Sequence, residues 1–191
     1  MVLLVMGGSG SGKSAYAEMR TAELGKGAGG RLLYLATMEP YDEESHRRIA
    51  RHRRMRKDKN FITLECQTHL EEVAVQEGDT LLLECISNLT ANEMYGSKGR
   101  GKEAARVILE GIRRLARESA HLVLVGNQVF SDGISYDPSS TEYLGQMALI
   151  QREAAAMADE AVEVVCGIPV WLKGGSEGRN KMVTKGTIIL E

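Results

Sequence analysis

Near the amino terminus stands Gly-Gly-Ser-Gly-Ser-Gly-Lys-Ser, residues 7–14, which fits the spacing G-x-x-x-x-G-K-[ST]. Residues of these types at this spacing hold phosphate. Glycines let backbone amides curl around phosphate oxygens without side-chain clash, and the amino end of a following helix adds partial positive charge. Gly7, Gly8, Ser9, Gly10, Ser11 and Gly12 would form the cradle. Lys13 would reach the terminal phosphates of a bound nucleotide, and Ser14 would ligate Mg2+. Such sites also take a carboxylate from the end of a neighbouring strand. Glu84, which closes the run Thr-Leu-Leu-Leu-Glu, is the candidate, because a carboxylate there is hard to bury without a cation nearby.

A second reactive stretch is "HRRIARHRRMRK", residues 46–57, with His46 and His52 among seven basic side chains. On a helix, Arg48, His52 and Arg56 fall on one stripe, with His46 about half a turn from Arg48. An imidazole flanked by guanidinium groups has its cationic form disfavoured and stays nucleophilic. The same arginines would bind a triphosphate and neutralise a leaving pyrophosphate. Periodicity permits His52 as a nucleophile toward phosphorus, but taken alone it favours a charged surface helix.

These groups need elements to position them. Continuously apolar runs at 2–6, 31–36, 61–66, 80–85, 121–126 and 161–166 predict strands buried on both faces of a parallel sheet. Helical patterns at 13–24, 42–58, 68–76, 102–118 and 140–159 lie between them. The alternation predicts an α/β fold of the P-loop NTPase type, a doubly wound, mostly parallel sheet flanked by helices. A buried strand leads into residues 7–14 and an amphipathic helix leads out, the setting the phosphate motif requires. A Gly/Ser turn without a ligand is the plain alternative, and it is disfavoured by that setting. The stretch 126–140, rich in Gly, Ser, Asp and Pro, predicts a long loop at the carboxyl edge of the sheet, where such folds bind ligands. The expected division is one domain over 1–173 and an extension over 174–191, whose last residues would add an edge strand.

Composition narrows the class further. An apolar fraction of 43% and a charged fraction of 26% over 191 residues suit one domain with a full core. A net charge of −2 disfavours a nucleic-acid partner, and few aromatics accompany the basic stretch for base stacking. Three cysteines without framework spacing read as reduced thiols of a cytoplasmic protein. The opening "MVLLVM" is too short for a membrane span.

The order of motifs resembles the bifunctional adenosylcobinamide kinase/adenosylcobinamide-phosphate guanylyltransferase family of cobalamin assembly. The resemblance is carried by "GGSGSGKS" (7–14), "YLAT" (34–37), "DEESHRRIARHR" (42–53), "TLE" (63–65), "LLLEC" (81–85), "ADEA" (158–161) and "GIPVWLK" (167–173). It implies phosphoryl transfer from ATP or GTP to adenosylcobinamide. It then implies GMP transfer from GTP to adenosylcobinamide phosphate through a guanylyl adduct on His52, not on His46. By the same resemblance Leu35, Ala36, Thr37, Arg53, Arg54, Met55, Arg56, Glu65 and Glu84 surround the guanine nucleotide, and the chain forms a homo-oligomer, a trimer. The chain departs from the family pattern at Gln128, where the family has Glu, and over 141–152. Two other readings keep the P-loop: a small-molecule kinase of other specificity, and a non-catalytic GTP-binding paralogue. The second lacks an N-K-x-D guanine-reading motif, since "NKMV" (180–183) has no Asp.

Overall fold

The computed structural model of the chain describes residues 1–56, 59–128 and 136–175. Seven strands form one sheet: β1 (Val2–Met6), β2 (Leu32–Ala36), β3 (Ile62–Glu65), β4 (Thr80–Glu84), β5 (His121–Val125), β6 (Glu160–Val165) and β7 (Ile168–Lys173). Their order is β3-β2-β4-β5-β1-β6-β7, with every pairing parallel except the antiparallel β6–β7 edge. Five helices connect them: α1 (Lys13–Ala28), α2 (Glu43–Met55), α3 (Ile86–Tyr95), α4 (Ala104–Glu118) and α5 (Pro138–Met157). The α/β, mostly parallel architecture expected from the apolar runs is the one observed.

Alternation along the central strands builds two cores. Val2, Leu4, Leu33, Leu35, Leu81, Leu83, Leu122 and Leu124 point to the face covered by α3, α4 and α5. Leu3, Val5, Tyr34, Leu82, Val123, Val125, Val162 and Val164 point the other way, against Tyr16 and Ala17 of α1. Both faces of the strands are buried, so the hydrophobic effect leaves no polar side in the sequence.

Register then sets the site. Ala36 pairs with Glu84 across β2 and β4, and Val5 pairs with Val125 across β1 and β5. The carboxyl ends of β1, β2 and β4 therefore share one rim, from which residues 7–14, 37–38 and Glu84 emerge. Beyond β2 the chain enters α2 through a capping box, in which Asp42 accepts from the Ser45 amide and Ser45 accepts from the Asp42 amide.

Four expectations change. The helix expected at 42–58 ends at Met55, and Lys57 and Asp58 lie outside the described residues. The segment 68–76 holds only a single 3-10 turn, Leu70–Glu72. There the backbone turns through a left-handed His69 whose amide donates to buried Glu93, and Val73 and Val75 reach the core. Helix α3 has no counterpart among the expected helices, because its buried face mixes Thr90, Asn92 and Glu93 with Ile86 and Leu89 and breaks the apolar pattern. Strand β7 has no counterpart among the expected strands, since it leaves Ile168, Val170 and Leu172 exposed at a sheet edge. The edge strand expected near the carboxyl terminus and residues 129–135 of the expected 126–140 loop lie outside the described residues, and the last three residues of that loop open α5. Among the described residues no helix is long and apolar enough to cross a membrane, and all three cysteines are free thiols.

Candidate functional site

The phosphate loop leaves β1 and enters α1 at Gly12, which caps the helix in a left-handed conformation at φ 86°. A Cβ at Gly12 would also meet Gly167 Cα at 3.3 Å, so glycine is required twice over. Lys13 Nζ donates to the Gly8 carbonyl at 3.0 Å. Burial pulls the Lys13 ammonium below its usual range, against the opposing pull of Cys85 and Glu84. One residue on, Ser14 Oγ donates to Glu84 Oε1 at 2.5 Å, and Tyr34 Oη donates to Glu84 Oε2 at 2.7 Å. The Glu84 side chain is only 9% exposed and is thus held by a hydroxyl on each oxygen. Burial first, and then the Glu84 charge, push the Tyr34 hydroxyl well above its ordinary range, so it stays a donor.

Helix α2 brings the basic stretch onto this loop. His52 Nδ1 lies 3.6 Å from Glu84 Oε1, whereas His46 is exposed and does not line the cleft. Arg56 is buried, with its guanidinium 3.8 Å from the centre of the Tyr34 ring and its Nε donating to Thr63 Oγ1 at 3.3 Å. Arg53 pairs with Glu65 at 3.4 Å and Arg48 with Glu44 at 2.8 Å. The expected guanidinium groups are not the whole of the histidine's surroundings. The strand rim sets a carboxylate beside the ring, which helical periodicity has no means to reveal.

Between loop and helix lies a cleft of about 320 Å³, within the range of small-molecule sites. Ser9, Gly10, Ser11, Gly12, Lys13, Ser14, Ala36, Thr37, His52, Arg53, Arg56, Glu65 and Glu84 line it, drawn from five separate segments of the chain. Four expected residues lie off its wall. Leu35 is fully buried in the opposite core because it alternates with Ala36 along β2. Gly7 and Gly8 sit behind the loop, their carbonyls accepting from the Gln128 amide and from Lys13 and the Ser11 amide. Arg54 is exposed on the outer face of α2. The Met55 side chain lies outside the described residues. Thr37 lines the cleft, yet its hydroxyl is bonded to the backbone of Glu84 and Cys85, so it ties β2 to β4.

Sequence reasoning places Arg48 at the phosphates but passes over Tyr34, Ile49, Arg51, Asn88 and Asn127 as lining residues. Arg48 and Arg51 carry a signal, being a turn and one residue from His52. Tyr34 carries none, since an aromatic in an apolar run reads as core. The departure at Gln128 is placed at the rim, where its amide donates to Glu163 at 2.7 Å.

The donor set suits Mg2+: a hydroxyl and a carboxylate oxygen 2.5 Å apart beside the phosphate loop are hard oxygen ligands. Ser14 and Glu84 would hold the ion, which supplies charge neutralisation to phosphate oxygens.

The chain is similar to known proteins over most of its length. The family model described as cobinamide kinase / cobinamide phosphate guanyltransferase matches residues 3–172. The bifunctional adenosylcobalamin biosynthesis protein CobU of Salmonella typhimurium is 30% identical, aligned over 91% of this chain and all of its own length. The Escherichia coli protein of that name is 28% identical over the same shares. The bifunctional adenosylcobalamin biosynthesis protein CobP of Pseudomonas aeruginosa is 28% identical over 90% of this chain and 96% of its own. Among solved structures, the ATPase domain of G40P is 9% identical with a TM-score of 0.48, covering 85% of this chain and 68% of its own. The flagellar accessory protein FlaH of Methanocaldococcus jannaschii is 10% identical with a TM-score of 0.47, covering 91% and 78%.

Proposed function

This chain belongs to the cobinamide kinase / cobinamide phosphate guanyltransferase family, and on that premise we propose that it phosphorylates adenosylcobinamide and then transfers GMP from GTP to the product. The observation that carries the reading is the placement of His52 Nδ1 3.6 Å from Glu84, the carboxylate bonded to Ser14 of the phosphate loop. A nucleophile and a triphosphate cradle thus share one cleft.

In the first reaction the loop amides and Lys13 bind the phosphates of ATP or GTP, and the terminal phosphoryl group passes to the hydroxyl of adenosylcobinamide. In the second, a ring nitrogen of His52 attacks the α-phosphorus of GTP and pyrophosphate leaves. Arg48, Arg51, Arg53 and Arg56 face the same cleft and oppose the charge that builds on the phosphates. Adenosylcobinamide phosphate then takes GMP from the histidine. Two displacements replace one crowded transfer. The reading extends to a cytoplasmic homotrimer. The exposed Ile168, Val170 and Leu172 on edge strand β7 support association of copies, which sedimentation would check.

Incubation with GTP labelled at the α-phosphate tests the transferase step. Acid-labile, alkali-stable label is expected on the wild type and on His46→Ala, and none on His52→Ala. Label that survives His52→Ala removes that residue from the reaction.

A further inference from the structure

Helix α1 carries a further carboxylate, Glu18, one turn beyond Ser14 and behind the residues that line the cleft. Glu18 is fully buried, and burial raises its carboxyl above the ordinary range against the pull of Lys59. One oxygen, Oε2, accepts from Lys59 Nζ at 2.7 Å. The other, Oε1, is buried and meets no hydrogen-bond donor. A buried oxygen left in that state costs stability.

A second orphan lies in the same cluster. His52 Nδ1 is buried and also lacks a hydrogen-bond partner, since 3.6 Å to Glu84 is too long for one. A carboxylate oxygen of Glu18, a ring nitrogen of His52 and a carboxylate oxygen of Glu84 all fall within 4.8 Å of one another. Of the two carboxylates, Glu84 already accepts from Ser14 and Tyr34, while Glu18 keeps one oxygen free. One orphan is an acceptor and the other can donate, so a hydrogen bond between them would satisfy both.

We propose that Glu18 is the positioning residue for His52, its free oxygen accepting the Nδ1–H of the imidazole so that the Nε2 lone pair faces the nucleotide. This rests on the transferase reading above. Nε2 forms the bond to the α-phosphorus, the bond from that phosphorus to the bridging oxygen breaks, and its electron pair departs with pyrophosphate. Nδ1 keeps its proton throughout. The ring, substituted at one nitrogen and protonated at the other, carries positive charge that the Glu18 carboxylate offsets. A carboxylate behind a reacting histidine fixes its tautomer in the same manner elsewhere. Lys59, which follows α2, acts separately, bracing the end of α2 against α1 through Glu18 Oε2.

Two measurements on the whole chain test the assignment. Nitrogen-15 NMR reads which ring nitrogen of His52 carries the proton, with the signal assigned by its loss in His52→Ala. The wild type is expected to show the Nδ1–H form, and Glu18→Gln a mixture or the Nε2–H form. Single-turnover labelling by GTP is expected to slow at least roughly tenfold in Glu18→Gln with nucleotide affinity retained, and to recover in part in Glu18→Asp, which keeps the charge. Lys59→Ala is expected to leave the tautomer as in the wild type. An unaltered tautomer in Glu18→Gln, or a loss of rate matched by Lys59→Ala, reduces Glu18 to a brace and overturns the proposal. If the wild type takes no label at all, the transferase reading fails, while the NMR result still judges the Glu18–His52 contact.

Discussion

The Tyr34 ring joins two parts of the site that are far apart in the chain: its face receives the Arg56 guanidinium at 3.8 Å and its hydroxyl donates to Glu84 at 2.7 Å. A residue of β2 thereby couples the end of α2 to the carboxylate beside the phosphate loop.

Tyr34→Phe keeps the ring and its cation contact while freeing one Glu84 oxygen. A loss of about 1 kcal/mol in stability is expected, seen as a lower midpoint in urea. Turnover should fall more than nucleotide affinity, because the carboxylate is no longer held from both sides. A variant with wild-type turnover would show that the Ser14 contact alone orients Glu84.

Lys13→Ala removes the one ammonium inside the phosphate loop. A charge-assisted contact to phosphate contributes about 1.5–3 kcal/mol, so GTP affinity should weaken roughly 10- to 100-fold. Calorimetric titration checks this, and unchanged affinity and rate would count against the P-loop assignment.

Asp79 anchors the start of β4. Its fully buried carboxylate accepts from Arg31 Nε at 3.0 Å and Nη2 at 2.5 Å, and from the amides of Arg31 and Gln76. The Arg31 guanidinium, with the two amides, holds the carboxyl below its usual range despite burial. The stabilisation is therefore complete above the ordinary carboxylate value and lost as pH falls through the lowered folded value. Asp79→Asn should cost about 2 kcal/mol at neutral pH. Its stability should also fall less steeply with acid than that of the wild type below roughly pH 4, a difference that denaturant melts across that range would reveal.

Leu82 is fully buried at the centre of the sheet, on the face covered by α1. Leu82→Ala should cost about 2–5 kcal/mol. Nucleotide affinity should hold in whatever fraction stays folded, because Leu82 does not line the cleft. Loss of affinity in parallel with loss of stability would tie the core to the site more closely than the geometry does.

Local chemistry explains why so much is legible in the chain itself. The residues 7–14 announce phosphate binding because the backbone conformation and the charge they need are built into eight consecutive positions. The central strands announce a parallel sheet because leucine and valine on both faces admit few other burials. What the chain cannot announce is any relationship made across segments. Tyr34 reads as core until β4 sets Glu84 beside its hydroxyl, and α3 shows no helical pattern until its polar residues find partners. His52 reads as one side chain of a basic helix until α2 folds over the rim and sets it near Glu18 and Glu84. Motifs and strands are decided by neighbours in sequence. The setting of the histidine is decided by strand register and helix docking, which bring together side chains from α1, α2 and β4 that no spacing along the chain relates.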